Sequence, residues 1–549
     1  MTTTVIEEGK QAFYSSLTAR EQDITCILEQ ITTDIKERYG HDIVLKYQRV
    51  ETLRVDYSRE TSESSQSLEE TVSVGIVTAE DSQQLIAAGR IERAATDVLT
   101  KDAIEAMVIS CLENTAKVDY GTTEPILLAS SVPNVRTYSI KPEIDPNSLS
   151  FGDKITKLEH ILAHTDVTQE GITFKGNILY REVTDTRIII GSNGTLVKDV
   201  RPLPEIRVSI TSDKDGQGKK TRHDLWKGVG GLEVALENKT LYDGIETIKG
   251  RLRESYEEIS FADYCAQRGL IQSAVLQNSN FVLAPIFFAV VLHEAIGHPV
   301  SEAELIMIGD SVVSDNGKLN PMQVAVPGFH AAFDSGGFLC HGYRAVDDEG
   351  THVEKIYVIK DGKIGNGTEL LHSRHTAATL GGTPKGTCVS EKGWQTPVPR
   401  QSVMRWEIDE SKIPCYGSTE KEMTIEEFYK ITEKDPDRFF GKDHAKTLFF
   451  IDRTGGGAVS TATGEFALNS RDTYVIRYGE APVRVKPFTF KGNSTEFLKD
   501  NIEYVIACKL DPFKGMCGKY GQNNPSVTFG EYAIVIRYDP KKMVISGDK

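Results

Sequence analysis

The sequence predicts an α+β protein with an N-terminal α/β domain over residues 1–120 and a small β-rich central domain over 145–265. A large, mostly antiparallel and barrel-like β domain follows over 270–545 and carries one apolar helix that ends in histidines. Three observations predict this class: helix and strand periodicities alternate early, hairpin signals dominate the middle, and glycine clusters punctuate short β-prone runs after 270. At 549 residues the chain is long for a single core, which favours several domains.

Thr18-Ala-Arg-Glu21 has the form of a capping box, and Ile24, Ile27, Leu28, Ile31 and Ile35 then recur at helical spacing up to Gly40. Residues 45–47 and 53–57 alternate as strands, the polar stretch 58–70 reads as a solvated loop, and Val72, Val74 and Ile76 begin another strand. Helical spacing returns at Ile104, Met107, Val108, Cys111 and Leu112. Residues 120–150, with Pro125, Pro133, Pro142 and Pro146, read as a connector. A helix over 155–164 follows; its His160 and His164 have no acid between them and read as a solvated face. Ser192-Asn193-Gly194 between two apolar runs predicts a hairpin. Beyond 270, Tyr474-Val-Ile476, Val483-Arg-Val485 and Tyr532–Ile536 read as strands. Thr454-Gly-Gly-Gly457 lacks the Gly-Lys-Ser/Thr ending of a phosphate loop and reads as turns.

The formal net charge of −16, without a long basic run, argues against a nucleic-acid surface. The N-terminal residues Met1 to Glu8 show no signal peptide, and the apolar run 281–292 is too short for a membrane span and contains Pro285. Both point to the cytoplasm with no membrane partner. Eight scattered cysteines without a Cys-x-x-Cys pair suit a reducing compartment.

The most informative segment is His293-Glu294-Ala-Ile-Gly-His298 at the end of that run. Two neutral imidazoles can hold a divalent metal, the metal lowers the pKa of a water, and a carboxylate takes the water's proton. The histidines are five apart, however, and on a regular helix such positions lie about 140° apart, too far to share one ion. A local π-type turn would realign them, and Gly297 and Pro299 suit such a distortion. Taken alone, the pair also reads as two histidines satisfied by hydrogen bonds at a buried helix end. A third ligand is needed. Cys517 within Lys514-Gly-Met-Cys-Gly-Lys-Tyr-Gly-Gln522 offers a thiolate among small neighbours, and Glu302 and Glu304 are competitors.

With these two motifs the sequence resembles the TldD/PmbA family of zinc metallopeptidases, the modulators of DNA gyrase, and in particular the catalytic TldD type. The resemblance rests on His293, Glu294 and His298, on Gly515, Cys517, Gly518, Lys519, Gly521 and Gln522, and on the ordered matches Asp347-Asp-Glu-Gly350, Pro399-Arg400 and Thr463-Gly-Glu-Phe466. It is strongest over 270–540. Pro299-Val-Ser-Glu-Ala-Glu304 departs from the Gly-Leu-Glu-Gly-Asp-like stretch of the usual TldD type. The resemblance implies Zn²⁺ held by His293, His298 and Cys517, Glu294 as general base, and hydrolysis of unfolded peptides laid as an added strand on a sheet edge. It also implies a dimer, with a second copy or with a paralogue. Lys519, Tyr520, His341 and Tyr343 are candidate oxyanion donors. The reading from a different class is a non-catalytic partner subunit or regulatory binding protein; the presence of all four motif residues weighs against it.

Overall fold

The computed structural model describes residues 10–78, 89–94, 99–117, 134–337, 339–365, 369–392, 395 and 397–547. The N-terminal octapeptide, and Pro125 and Pro133 of the expected connector, lie outside them.

Helix α1 (Ala19–Tyr39) starts at the expected capping box: Thr18 Oγ1 accepts from the Glu21 N–H, and the Glu21 carboxylate accepts from the Thr18 N–H. It stops at Gly40, whose φ of +67° is cheap only for glycine. Its apolar stripe, Ile24, Leu28, Ile31 and Ile35, is buried against β1 (His41–Tyr57) and α2 (Lys101–Lys117). The remaining N-terminal elements are β2 (Ser62–Thr78), β3 (Gly89–Ala94), β4 (Val135–Ser139), α3 (Phe151–Thr165), β5 (Ile172–Gly191), β6 (Leu196–Lys214), β7 (Gly218–Lys227) and α4 (Leu241–Ser255). The strands form one eight-stranded sheet in the order β3-β2-β1-β5-β6-β4, with β7 also on β6 and the two-residue strand Thr168–Gln169 on β5.

This sheet changes two expectations. The strands of the expected N-terminal and central domains are hydrogen-bonded neighbours through β1 and β5, so the sequence-based boundary falls inside a single sheet. The polar stretch 58–70 is mostly strand: β2 pairs with β1 along its whole length, its serines, Glu63 and Glu69 facing water on a long ribbon while Glu70 is buried against Tyr47. The Ser192-Asn193-Gly194 turn does join β5 to β6, with Gly194 at φ +89°.

Besides two two-stranded ribbons and several short helices, the C-terminal part builds two large sheets around one helix. Its elements are β8 (Ser279–Leu283), α5 (Pro285–Leu292), β9 (Phe329–Phe333), β10 (Ile356–Ile359), β11 (Val403–Ile408), β12 (Cys415–Gly417), β13 (Thr447–Val459), β14 (Glu465–Ile476), β15 (Val483–Val485), β16 (Phe488–Asn493), β17 (Ile502–Ala507), β18 (Phe513–Lys519), β19 (Gln522–Phe529), β20 (Tyr532–Arg537) and β21 (Met543–Gly547). The larger sheet runs β12-β17-β20-β8-β13-β14-β16-β21, with β15 on β14; the smaller runs β10-β9-β11-β19-β18. The expected barrel is not formed: among the described residues both sheets stay open, and three pairs, β8 with β13, β12 with β17 and β11 with β19, are parallel. Thr454–Gly457 is not a set of turns either. It is a bulged part of β13, where the register to β14 shifts.

Helix α5 is buried on every side, because the two sheets enclose it. Phe287 meets Phe490 of the larger sheet edge-on, and Phe288 meets Trp406 of the smaller. Each such buried side chain contributes roughly 1.5–3 kcal/mol. The helix is therefore a fixed post, and its C-terminal end cannot drift. Ion pairs hold the N-terminal sheet against the C-terminal part: Asp348 binds Arg187 at 2.6 Å and Lys46 at 3.3 Å, Arg222 binds Asp472 at 2.7 Å, and Arg251 binds Asp452 at 2.8 Å.

Candidate metal centre

The helix continues from α5 as a π turn over His293–Gly297, closed by the His298 N–H donating to the His293 carbonyl. The extra residue brings the second imidazole round to the first, as the spacing required. The ring centroids are 5.0 Å apart. Gly297 is needed for space rather than dihedral freedom: a Cβ there would fall 1.6 Å from Oε1 of the buried Gln401. Pro299 follows in the next helical turn, where its missing N–H suits a ladder already out of register.

Cys517 arrives from β18, the edge strand of the smaller sheet. Its Sγ lies 3.4 Å from His298 Nε2, and one donor atom each of His293, His298 and Cys517 all lie within 4.8 Å of one another. Residues more than two hundred positions apart thus share one point in space. Arg400, 2% exposed, pins the hairpin that carries the thiol by donating to the backbone carbonyls of Cys517, Lys519 and Gln522.

The surrounding hydrogen bonds settle which nitrogens face inward. Ser526 Oγ donates to the Gln401 carbonyl at 2.9 Å and sits 3.3 Å from His293 Nδ1, so its oxygen accepts from Nδ1–H and leaves Nε2 with a lone pair. His298 Nδ1 is held by the fully buried Glu302 at 3.2 Å, which leaves its Nε2 toward the thiol. Glu302 is in turn anchored by Lys519 at 2.9 Å, and Lys519 also binds Glu304 at 3.1 Å.

Electrostatics favour a thiolate. Burial raises the Cys517 pKa, but His293 and then His298 outweigh it and bring the thiol down to about 6. Burial lowers His298, yet Glu302 and Cys517 overcome it and lift the imidazole to about 10. Burial likewise raises Glu302, and Lys519 with His298 hold it down to about 2. Between a thiolate and a carboxylate the pocket demands positive charge. Two imidazole nitrogens and a thiolate, each oriented from behind, fit a borderline-soft cation.

Of the expected site residues, Glu294 is half-buried beside His293, and its carboxylate has no hydrogen bond or ion pair among the described residues. Glu302 and Glu304 do not join the donor cluster; they hold His298 and Lys519. Lys519 is consequently committed to ion pairs rather than free as an oxyanion donor. Tyr520 is exposed at the hairpin turn, while His341 and Tyr343 lie on a loop facing the N-terminal sheet, where the Tyr343 carbonyl accepts from Arg201. Sequence reasoning missed Ser526, Gln401 and the orienting role of Glu302. Only Glu302 left a signal, as a carboxylate four residues after His298 on the same helical side.

Residues 277–506 match the family model of the PmbA/TldA metallopeptidase C-terminal domain. The chain is 26% identical over 410 residues to a metalloprotease of Methanothermobacter thermautotrophicus, covering 73% of this chain and 76% of that one. It is 24% identical over 398 residues to the metalloprotease TldD homolog of Haemophilus influenzae, covering 72% and 73% respectively. In fold it is similar to TldE from Thermococcus kodakarensis, with a TM-score of 0.64 at 13% identity over 95% of this chain and 100% of that one. The helix post and the π turn lie within the matched region and the edge-strand thiol just beyond it, and residues 277–506 of the chain form a metallopeptidase C-terminal domain of the PmbA/TldA type.

Proposed function

We propose that the protein is a zinc-dependent peptidase that hydrolyses unfolded peptides bound as an added strand on β18. The observation that carries this reading is the meeting of His293, His298 and Cys517 beside a carboxylate, Glu294, that has no hydrogen bond or ion pair among the described residues. Zinc held by these three donors would supply Lewis acidity and a lowered pKa for water. Glu294 takes the proton of the attacking water and passes it to the amine nitrogen as the peptide C–N bond breaks.

The backbone of β18 supports the substrate class. Its two-residue turn, Tyr520 and Gly521, both at positive φ, makes Lys519 and Gln522 a hydrogen-bonded pair. Alternation then bonds Cys517 to Asn524 and Gly515 to Ser526, and turns the N–H and C=O of Lys514, Met516 and Gly518 outward. Pro525, opposite Met516, costs this ladder no bond. The outward row is free among the described residues, and an extended chain fits it through main-chain bonds with little side-chain selectivity. A folded protein offers no such segment. We take the active form to be a dimer, with a second copy or a paralogue, and the cytoplasm to be its compartment; among the described residues no helix is long and apolar enough to cross a membrane.

Glu294→Gln tests the reading. The variant should retain its zinc by elemental analysis and lose peptide cleavage by about 10²–10⁴-fold; unchanged cleavage would exclude Glu294 as the base.

A further inference from the structure

Most charged groups between the N-terminal sheet and the C-terminal part are paired; among the described residues the buried Arg344, beside Arg187 and Arg201, is not, and a second unpaired group lies further along β6. On one face of the N-terminal sheet Asp199, Arg201 and Glu205 alternate along β6, with Asp185 opposite Arg201, and with Arg181 and Lys227 flanking Glu205. Arg181 binds Glu205 at 2.9 Å, and Arg201 binds Asp199 at 3.3 Å and also Asp185. Lys227 has no hydrogen bond or ion pair among the described residues, although it is only 4% exposed.

The facing wall also carries an unpaired lysine and a partly buried imidazole. Lys514 lies opposite Val527 across the β18–β19 ladder, and Cys340 packs on Val527, so His341 sits in a loop on the Lys514 face of that sheet. Neither Lys514 nor His341 has a hydrogen bond or ion pair among the described residues. Burial, then Lys227, Arg181, Lys514 and Arg201, hold His341 well below its ordinary pKa, and the ring is neutral. Burial lowers Lys227 to about 8, with Lys514 and Arg181 adding to it and Glu205 opposing. Of the nearby carboxylates, Asp511 faces Arg453 at 3.7 Å and Asp224 accepts from the Leu225 N–H at 2.8 Å; both oppose the burial penalty on Lys514, and neither is ion-paired to it among the described residues.

We propose that Lys227 and Lys514, with the neighbouring His341, form a subsite that binds a carboxylate of the peptide lying on β18. In a chain of net charge −16, a buried ammonium without a counter-ion is a gap that a substrate anion fills. Lys514 precedes Cys517 by three residues on the same edge strand, about 10 Å along it and on the opposite face. A substrate strand turns alternate side chains to that face, so the carboxylate falls within about three residues of the scissile bond. The inference rests on the peptidase reading and makes it selective: peptides with an acidic residue, or a free C-terminus, close to the cut are preferred.

The test uses the full-length, zinc-loaded protein and one unstructured peptide in matched forms, with Glu or Gln at each position near the cut and with a free or amidated C-terminus. Binding is read by fluorescence anisotropy on the Glu294→Gln variant and cleavage as kcat/KM on the wild type. One carboxylate form should bind about tenfold tighter than its neutral twin, the gain of one charge-assisted hydrogen bond. The substitution that matters identifies side chain or terminus. In Lys227→Met and Lys514→Met the ratio should fall to about one. Equal binding of all forms, or a preference that survives both substitutions, overturns the subsite even if cleavage persists. A preference that binding shows while no form is cleaved supports the subsite and overturns the peptidase reading; no binding of any form overturns both.

Discussion

Two buried charge clusters in this molecule differ in what they lack. Around Asp348 the carboxylates are answered: Arg187, Lys46 and the Ser390 hydroxyl and N–H saturate Asp348, and Asp185 bridges Arg187 to Arg201, while the buried Arg344 beside them has no ion pair among the described residues. Around Cys517, the protein orients a thiolate and two imidazoles from behind and answers none of them from the front. The first cluster is architecture, because burying charge is tolerable only when it is paired. The second has the form of a metal site, because one donor atom from each of three residues converges within 4.8 Å of the others.

The largest effect that separates the two should come from Cys517→Ala. Metal analysis of the purified variant should show zinc lost and peptide cleavage abolished, with the fold retained; full zinc content in the variant would mean the thiol is not a ligand. Next in size is Asp348→Ala, which strands Lys46 in the interior, leaves Arg187 to Asp185 alone, and should cost about 3–5 kcal/mol in denaturant unfolding. Its folded-state carboxyl lies far below the unfolded value of about 4, so this contribution is present at neutral pH and is lost as the medium is acidified through and below that value.

Lys227→Met should act in the other direction. The folded-state pKa, about 8, lies below the ordinary lysine value, so the charged form is penalised fully below pH 8 and not at all once both states are neutral. The variant should therefore be more stable than the parent at pH 7, by up to roughly 3 kcal/mol, and the difference should vanish near pH 11. A pH-independent difference would place the effect in packing instead. The smallest effect expected is that of Ser526→Ala, which removes the acceptor behind His293 and should weaken zinc binding about 10–100-fold in a chelator competition. No change there would show that the imidazole is held by packing alone.

Local signals were legible in the sequence wherever one segment of chain decides the outcome. The capping box at Thr18, the hairpin at Ser192 and the distortion demanded by a five-residue histidine spacing all follow from neighbours in sequence. The pairing of β1 with β5 does not: it joins strands well over a hundred positions apart, and nothing near either end announces it. The stretch 58–70 hid its strand because both faces of a solvated ribbon are polar, which removes the alternation on which strand reading depends. Within the site, the three donors were visible as residue types able to bind metal. Ser526 and Gln401 were not, because a serine hydroxyl and a backbone carbonyl acquire their role only when β19 is laid against β11 and beneath the helix end.

The π turn has one further consequence. A π turn absorbs its extra residue without turning the chain beyond it; rewinding the same residues as a regular helix would rotate everything downstream by about 100°. Such a rewinding would swing His298 away from the thiol, and Glu302 and Glu304 off Lys519. The contacts beyond the turn thus act as a clamp that keeps the helix in its wide winding.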